Sequence, residues 1–163
     1  MYVSFADMET TTLPEAPESI RAISSIPDPD YTDTYTHEAA DASDWTPEEW
    51  ARVCFNEIAG FKAWLMWRFM LRMKLRWWKS SGTICGWRID GQGPDWIRLE
   101  SDGHRFHGNL VYRITDGQAQ LATIVKFKRP EMAVKWQKLQ PTHNGVVPSL
   151  VAETHKRLRD KAS

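Results

Sequence analysis

The chain has 163 residues, 42% of them hydrophobic and 12% aromatic, which suffices for one domain with a sizeable core and means that most of it should fold. Its formal charge is zero, yet residues 1–60 hold 13 acids against two bases, while residues 61–163 hold eight acids against 19 bases. Nucleic-acid binding favours a basic face free of a competing acidic one, whereas here the acidic half can fold back over the basic half, so self-neutralisation is the simpler reading and no nucleic-acid partner is expected.

Residues 1–27 read as a mostly disordered, flexible acidic tail ending in an extended stretch over the domain, and residues 28–163 as the folded domain. The tail holds acidic, Thr and Pro residues where a secretion signal needs a basic end and an apolar run, so a cytoplasmic protein is expected. Cys54 and Cys85 have no spacing that suggests zinc, haem or a disulfide framework, and they are expected as buried thiols.

In DYTDTYTHE, residues 30–38, Tyr31, Asp33, Tyr35 and His37 alternate with Thr32, Thr34 and Thr36, the period-two pattern of a strand. TPEE at 46–49 is a helix start, with Thr46 as cap, Pro47 in the first turn and Glu49 completing a capping box. A second helix is expected from Phe61 to about Lys79, where Arg68, Arg72 and Arg76 would form one basic stripe. The cations exclude a membrane span, but such a helix either lies on an anionic membrane or packs on the sheet with its arginines in water.

Four strand-like runs follow, TICGWRID, DWIRLES, RFHGNLVYRIT and QAQLATIVKFK, joined by GQGP, DGH and DG. Pro130 ends the last run. EMAVKWQKLQ reads as a turn or two of helix, and a final helix is expected from Pro141, interrupted or restarted at Pro148, with Val146, Val147, Leu150, Val151 and Leu158 on its apolar face.

Strand, helix pair, antiparallel meander and C-terminal helix make an α+β, helix-grip order: a sheet of about five to six strands wrapped around a long C-terminal helix, with a cavity between them. The segments DYTDTY (30–35), CGWRI (85–89), GPDWIRLES (93–101), LATIVKFKRP (121–130) and HNGVVPSLV (143–151) carry a resemblance to the START-like superfamily of polyketide cyclases, lipid-transfer domains and birch-pollen allergens. Within it the chain most resembles an uncharacterised family of small domains common in actinobacteria. The resemblance implies a pocket, and a cofactor-independent cyclase or related enzyme acting on a hydrophobic polyketide-like intermediate. The alternative is a non-catalytic carrier of a lipid or apolar metabolite that touches a membrane through residues 61–79, and either form is compatible with a homodimer.

The candidate catalytic residues are Asp33, Tyr35, Tyr112 and Glu100. If the Tyr-Asp-Tyr face points inward, an aspartate between two phenols is desolvated and becomes an acid or base near neutral pH; if the threonines point inward, that face is merely solvated. Arg98 and Glu100 are either a surface pair beside Trp96 or a cavity-lining pair beneath it. Tyr31, Trp64, Trp87, Trp96, Arg98 and His143 are the candidate substrate-binding residues, the tryptophans as apolar walls and His143 at the cavity mouth as a further acid or base. His155, late in the helix, is expected to cap it. His104 and His107, three apart on a strand, point to opposite faces and make a poor metal pair.

Overall fold

The computed structural model describes residues 10–13 and 15–163, so part of the expected acidic tail lies outside the described residues. Its framework is one antiparallel sheet packed against a long C-terminal helix. The strands are β1 (Thr10–Leu13), β2 (Tyr31–Glu38), β3 (Thr83–Ile84), β4 (Trp87–Gln92), β5 (Trp96–Asp102), β6 (Phe106–Thr115) and β7 (Gln118–Phe127). They lie in the order β1-β2-β7-β6-β5-β4-β3. The helices are α1 (Glu18–Arg21), α2 (Pro47–Arg52), α3 (Gly60–Leu65) and α4 (Pro130–Ala162). Five long strands with a helical region after the first of them give the helix-grip-like arrangement, and the short β1 and β3 extend it at the two edges.

Alternation in β2 sets the geometry of the whole molecule. Tyr31, Asp33, Tyr35 and His37 point toward α4, where Tyr35 meets Asn144 and His37 meets His155. Thr32 and Thr36 point the other way. Register with β7 (Asp33 opposite Thr123, Tyr35 opposite Leu121) and of β7 with β6 (Leu121 opposite Tyr112) carries one continuous face across the sheet. That face, the helices and α4 enclose a core that includes Tyr35, Trp50, Phe55, Leu110, Tyr112 and Leu121. These side chains occupy much of the space between sheet and helix in which the sequence led us to expect a cavity. Two open clefts, of about 570 and 390 Å³, lie elsewhere, one between α1 and the outer face of the sheet and one beside Trp78.

Residues 15–27, expected as part of the tail, pack on that outer face: Ala16, Ile20 and Ile26 are buried against Val111, Ala122 and Ile124. The side chains of Ser24 and Ser25 fasten the segment to Asn109 and Glu100.

α2 begins as expected, with Glu49 N–H donating to Thr46 Oγ1 and Thr46 N–H donating to the Glu49 carboxylate. The helical path then widens into π-type turns at Val53–Ala59 and Met66–Met70, on either side of α3. Gly60 sits at φ 59° and ψ −155°, a conformation close to glycine-only, and redirects the chain there.

The expected helix from Phe61 to Lys79 stops at Met70. Leu71 is still αR and Arg72 takes a left-handed turn at φ 50°, after which residues 73–76 form neither helix nor strand. Leu71 and Met73 are buried and Arg72, Lys74 and Arg76 exposed, so no helical stripe of arginines exists. The segment is bound at both ends, by Met73 N–H to the Trp67 carbonyl and by Arg76 N–H to the Gly86 carbonyl.

The run TICGWRID is a two-residue hairpin, not one strand. Cys85 and Gly86 occupy its loop at φ 49° and 83°, and Ile84 pairs with Trp87. A β-carbon on Gly86 would stand 2.5 Å from the Arg76 carbonyl and 2.8 Å from the Trp64 ring. Gly86→Ala is therefore expected to lower the urea unfolding free energy by about 2 kcal/mol. A variant as stable as the parent would mean that this hairpin does not hold residues 71–76.

α4 is a single helix that contains both Pro141 and Pro148. Each proline costs about 3 kcal/mol in a helix interior through a lost N–H and a ring clash. Met132, Trp136, Val147, Val151, Thr154, His155 and Leu158 recur on one buried face, and at about 1.5–3 kcal/mol for each large apolar side chain their burial outweighs that cost. Val146, expected on that face, is exposed.

Candidate functional site

The polar centre of the helix-facing surface is Asp33, which is 2% exposed. Its Oδ2 accepts hydrogen bonds from Tyr31 Oη at 2.6 Å, His143 Nε2 at 2.9 Å and Tyr35 Oη at 3.3 Å, and its Oδ1 accepts the Thr123 amide at 3.3 Å. Strand period brings the first three groups together: Tyr31, Asp33 and Tyr35 project from one side of β2. His143 arrives from α4, two residues after Pro141, and beside it Asn144 Oδ1 lies 3.0 Å from Tyr35 Oη and 3.4 Å from Tyr31 Oη.

Burial, then the hydrogen bond and charge of Asp33, hold the Tyr31 phenol well above its ordinary pKa. Tyr35 is raised by burial and then by the Asp33 charge and hydrogen bond. Both therefore remain protonated donors at neutral pH. His143 turns Nε2 to the carboxylate, so the assigned tautomer donates there and leaves Nδ1 as the basic nitrogen, with no hydrogen-bond partner among the described residues. The ring of His143 lies 5.3 Å from Trp136 and 6.1 Å from Tyr35, and Asn144 opens the cluster to solvent. Chemically this is an imidazole oriented by a carboxylate, with two phenol donors alongside: a group that takes a proton, a group that stabilises the resulting imidazolium, and hydroxyls able to polarise a carbonyl.

A second buried chain continues along β2. His37 Nε2 and His155 Nδ1 are 3.1 Å apart, and His155 Nε2 donates to Asp41 Oδ1 at 2.7 Å. His155 is thus a core residue, stacked on Trp50 at 5.7 Å, not the helix cap expected. Burial, then the neighbouring His155, lowers the His37 pKa to about 4, so it is neutral at physiological pH.

The structure brings Tyr31, Asp33, Tyr35 and His143 together, and it separates the remaining candidates from them. Tyr112 is buried two strands away behind Leu121, with its hydroxyl beside Cys54 and Thr154 but outside hydrogen-bond geometry to either. Burial pushes that phenol well above its ordinary value and the Cys54 thiol up to about 11. Glu100, Arg98 and Trp96 project from the opposite side of β5 from the core residues Ile97 and Leu99. There Glu100 takes Ser25, His107 and Arg88, while Arg98 pairs with Asp90 and donates to the Ile23 carbonyl. They clamp the 15–27 segment, because the two faces of a strand cannot serve one site. Trp87 is core, edge-on to Trp67, and Trp64 is buried beneath residues 71–77 with its Nε1–H donating to the Arg76 carbonyl.

Three members of the cluster were not foreseen from sequence: Thr123, Trp136 and Asn144. Only Asn144, adjacent to His143, carries a sequence signal. Thr123 is fixed by register, and Trp136 by the continuity of α4 through Pro141.

Comparison with known proteins finds no matching family model, no similar curated protein and no similar solved structure.

Proposed function

We propose that the chain is a cofactor-independent acid–base enzyme of the cyclase type, acting on a hydrophobic polyketide-like carbonyl compound held against Trp136 and Tyr31. One observation carries this reading: the 2.9 Å contact of His143 with a buried Asp33 that two tyrosines also address. His143 Nδ1 takes a proton from the carbon next to a carbonyl while Tyr35 exchanges Asn144 for the forming enolate oxygen. The enolate carbon attacks a second carbonyl of the same molecule, forming a ring bond, and the proton returns from His143 to the new alkoxide. Asp33 orients the imidazole and stabilises it while charged.

His143→Gln and Asp33→Asn are each expected to lower kcat/KM on a linear poly-β-ketone thioester by about 10²–10⁴-fold, and Tyr35→Phe by about 10²-fold, read by chromatography of the cyclised product. Full turnover in both Asp33→Asn and Tyr35→Phe would remove this role. A second reading, a non-catalytic carrier of an apolar metabolite, is favoured by the exposed aromatic surface around Trp77. Saturable quenching of tryptophan fluorescence by such compounds without any product would select the carrier.

A further inference from the structure

The surface formed by residues 61–79 combines exposed apolar and cationic groups that nothing else in the fold uses. Phe69 is 64% exposed, Trp77 58% and Met70 52%, with Phe61, Leu65 and Met66 also exposed. Phe61, Phe69 and Trp77 form one patch around Trp64, whose ring lies 5.2 Å from Trp77, 5.5 Å from Phe61 and 6.2 Å from Phe69.

Lys62, Arg68, Arg72, Lys74, Arg76 and Lys79 are exposed on the same stretch, and no acidic residue occurs from position 58 to 89. Self-neutralisation takes place elsewhere: Asp28 and Asp30 hold Lys126, Asp41 lies by His155 and Arg159, and Glu57 holds Arg157 and Lys161. Among the described residues none of the six cations forms an ion pair. Two of them lie against the aromatic groups, Arg68 over Phe69 at 5.6 Å and Lys79 over Trp78 at 4.5 Å.

The patch is preformed. Leu71 and Met73 plug into the core, Ser101 Oγ donates to the Lys74 carbonyl at 3.1 Å, and the Arg76 backbone is tied to Gly86 and Trp64.

We propose that this patch docks the protein onto an anionic lipid bilayer, with Phe61, Phe69 and Trp77 entering the interfacial region and the six cations resting on headgroup phosphates. Unpaired cations match phosphates in charge. Exposed methionine, leucine and phenylalanine beside tryptophan match the boundary between headgroups and acyl chains, which a nucleic-acid backbone would leave wet. The inference does not depend on turnover at His143.

Flotation of the full chain with phosphatidylcholine vesicles, with and without about 30 mol% phosphatidylserine, tests it. Binding is expected with the anionic vesicles, at least about tenfold stronger than with neutral ones, and accompanied by a blue shift of tryptophan emission. Arg68→Glu with Arg72→Glu should weaken partition by about 30-fold or more, since each cation contributes roughly fivefold. Phe69→Ser with Trp77→Ser should weaken it by about tenfold or more. All four side chains are exposed, so the variants should keep the parental circular dichroism spectrum. Absence of binding to either vesicle, equal binding to both, or variants that bind like the parent would overturn the proposal. So would a homodimer lost in Phe69→Ser with Trp77→Ser but indifferent to lipid, which would assign the patch to a second copy.

Discussion

Asp33→Ala is expected to lower the unfolding free energy by about 3–5 kcal/mol, because it strands several buried donors at once. The Tyr31 and Tyr35 hydroxyls, His143 Nε2 and the Thr123 amide all aim at the one carboxylate. Asp33→Asn keeps the shape and one acceptor, and should cost about half as much. The same replacement has a spectroscopic signature. With the Asp33 charge gone, burial is left as the chief cause that raises the two phenols, so tyrosinate absorbance should develop at lower pH than in the parent. The sign for stability is fixed by the direction of these shifts. Folded phenols raised above the ordinary value of 10.0 contribute fully below it, and their contribution is lost as pH rises toward the folded values. Urea denaturation of parent, Asp33→Ala and Asp33→Asn checks the first part, and alkaline spectrophotometric titration the second. An Asp33→Ala protein of parental stability would mean that the cluster is not formed.

Acidification through the histidine range should remove about 2–3 kcal/mol of stability, and His37 is the origin. Its folded pKa of about 4 lies below the ordinary 6.5. Above 6.5 neither state is protonated and the contribution is complete. Between 6.5 and 4 the unfolded chain takes up a proton that the folded chain refuses, and stability falls. Among the described residues His155, Glu38 and Asp41 act on His37, with Arg159 behind Asp41; burial and His155 oppose its protonation and the two carboxylates favour it. A separate limb lies lower. Burial would raise Glu100, but hydrogen bonds from Ser25, His107 and Arg88 outweigh it and hold the carboxyl down at about 2, so its contribution is lost only below its ordinary 4.5. Urea midpoints at about pH 7 and about pH 4.5 separate the two limbs. The fall over that interval should shrink by half or more in His37→Gln, and an undiminished fall would place its origin elsewhere.

The chain announces its architecture more clearly than its faces. Strand alternation at 31–37, the Thr46–Glu49 capping box and the turn at 116–117 form as expected. The turns expected at 91–94 and 102–104 fall at 93–95 and 103–105, because Gly91, Gln92 and Asp102 still pair in the sheet. Period two put Tyr31, Asp33 and Tyr35 on one face but left its direction open, and His143, expected just before the final helix, lies within α4. Leu71-Arg72-Met73-Lys74-Leu75-Arg76 carries both a helical and a period-two pattern. Neither element forms there: a left-handed turn at Arg72 ends the helical path, and Leu71 and Met73 join the core on either side of it.

Trp96, Arg98 and Glu100 alternate with Ile97 and Leu99, and burial of the aliphatic pair sent all three to the outer face. Nothing local announced that Arg98 and Glu100 would there meet the segment between residues 15 and 27. His155 looked like a cap because it is late in the helix, yet position along a helix does not say which way a side chain points. Its i−4 and i+3 neighbours Val151 and Leu158 are buried, and so is it. The single passage of α4 through Pro141 and Pro148 is likewise a packing outcome, opposed by propensity at both positions.

The central claim is that Asp33, His143 and the two tyrosines form a site that a small carbonyl compound enters. Two-dimensional NMR of the histidine and tryptophan ring protons, during titration with a poly-β-ketone thioester, tests it most directly. The account predicts saturable shifts of the His143 ring and the Trp136 indole, with those of His37 and His155 unmoved, and loss of the response in Asp33→Asn. Saturable shifts confined to other rings, or none at His143 in a titration that perturbs the rest of the protein, would contradict it.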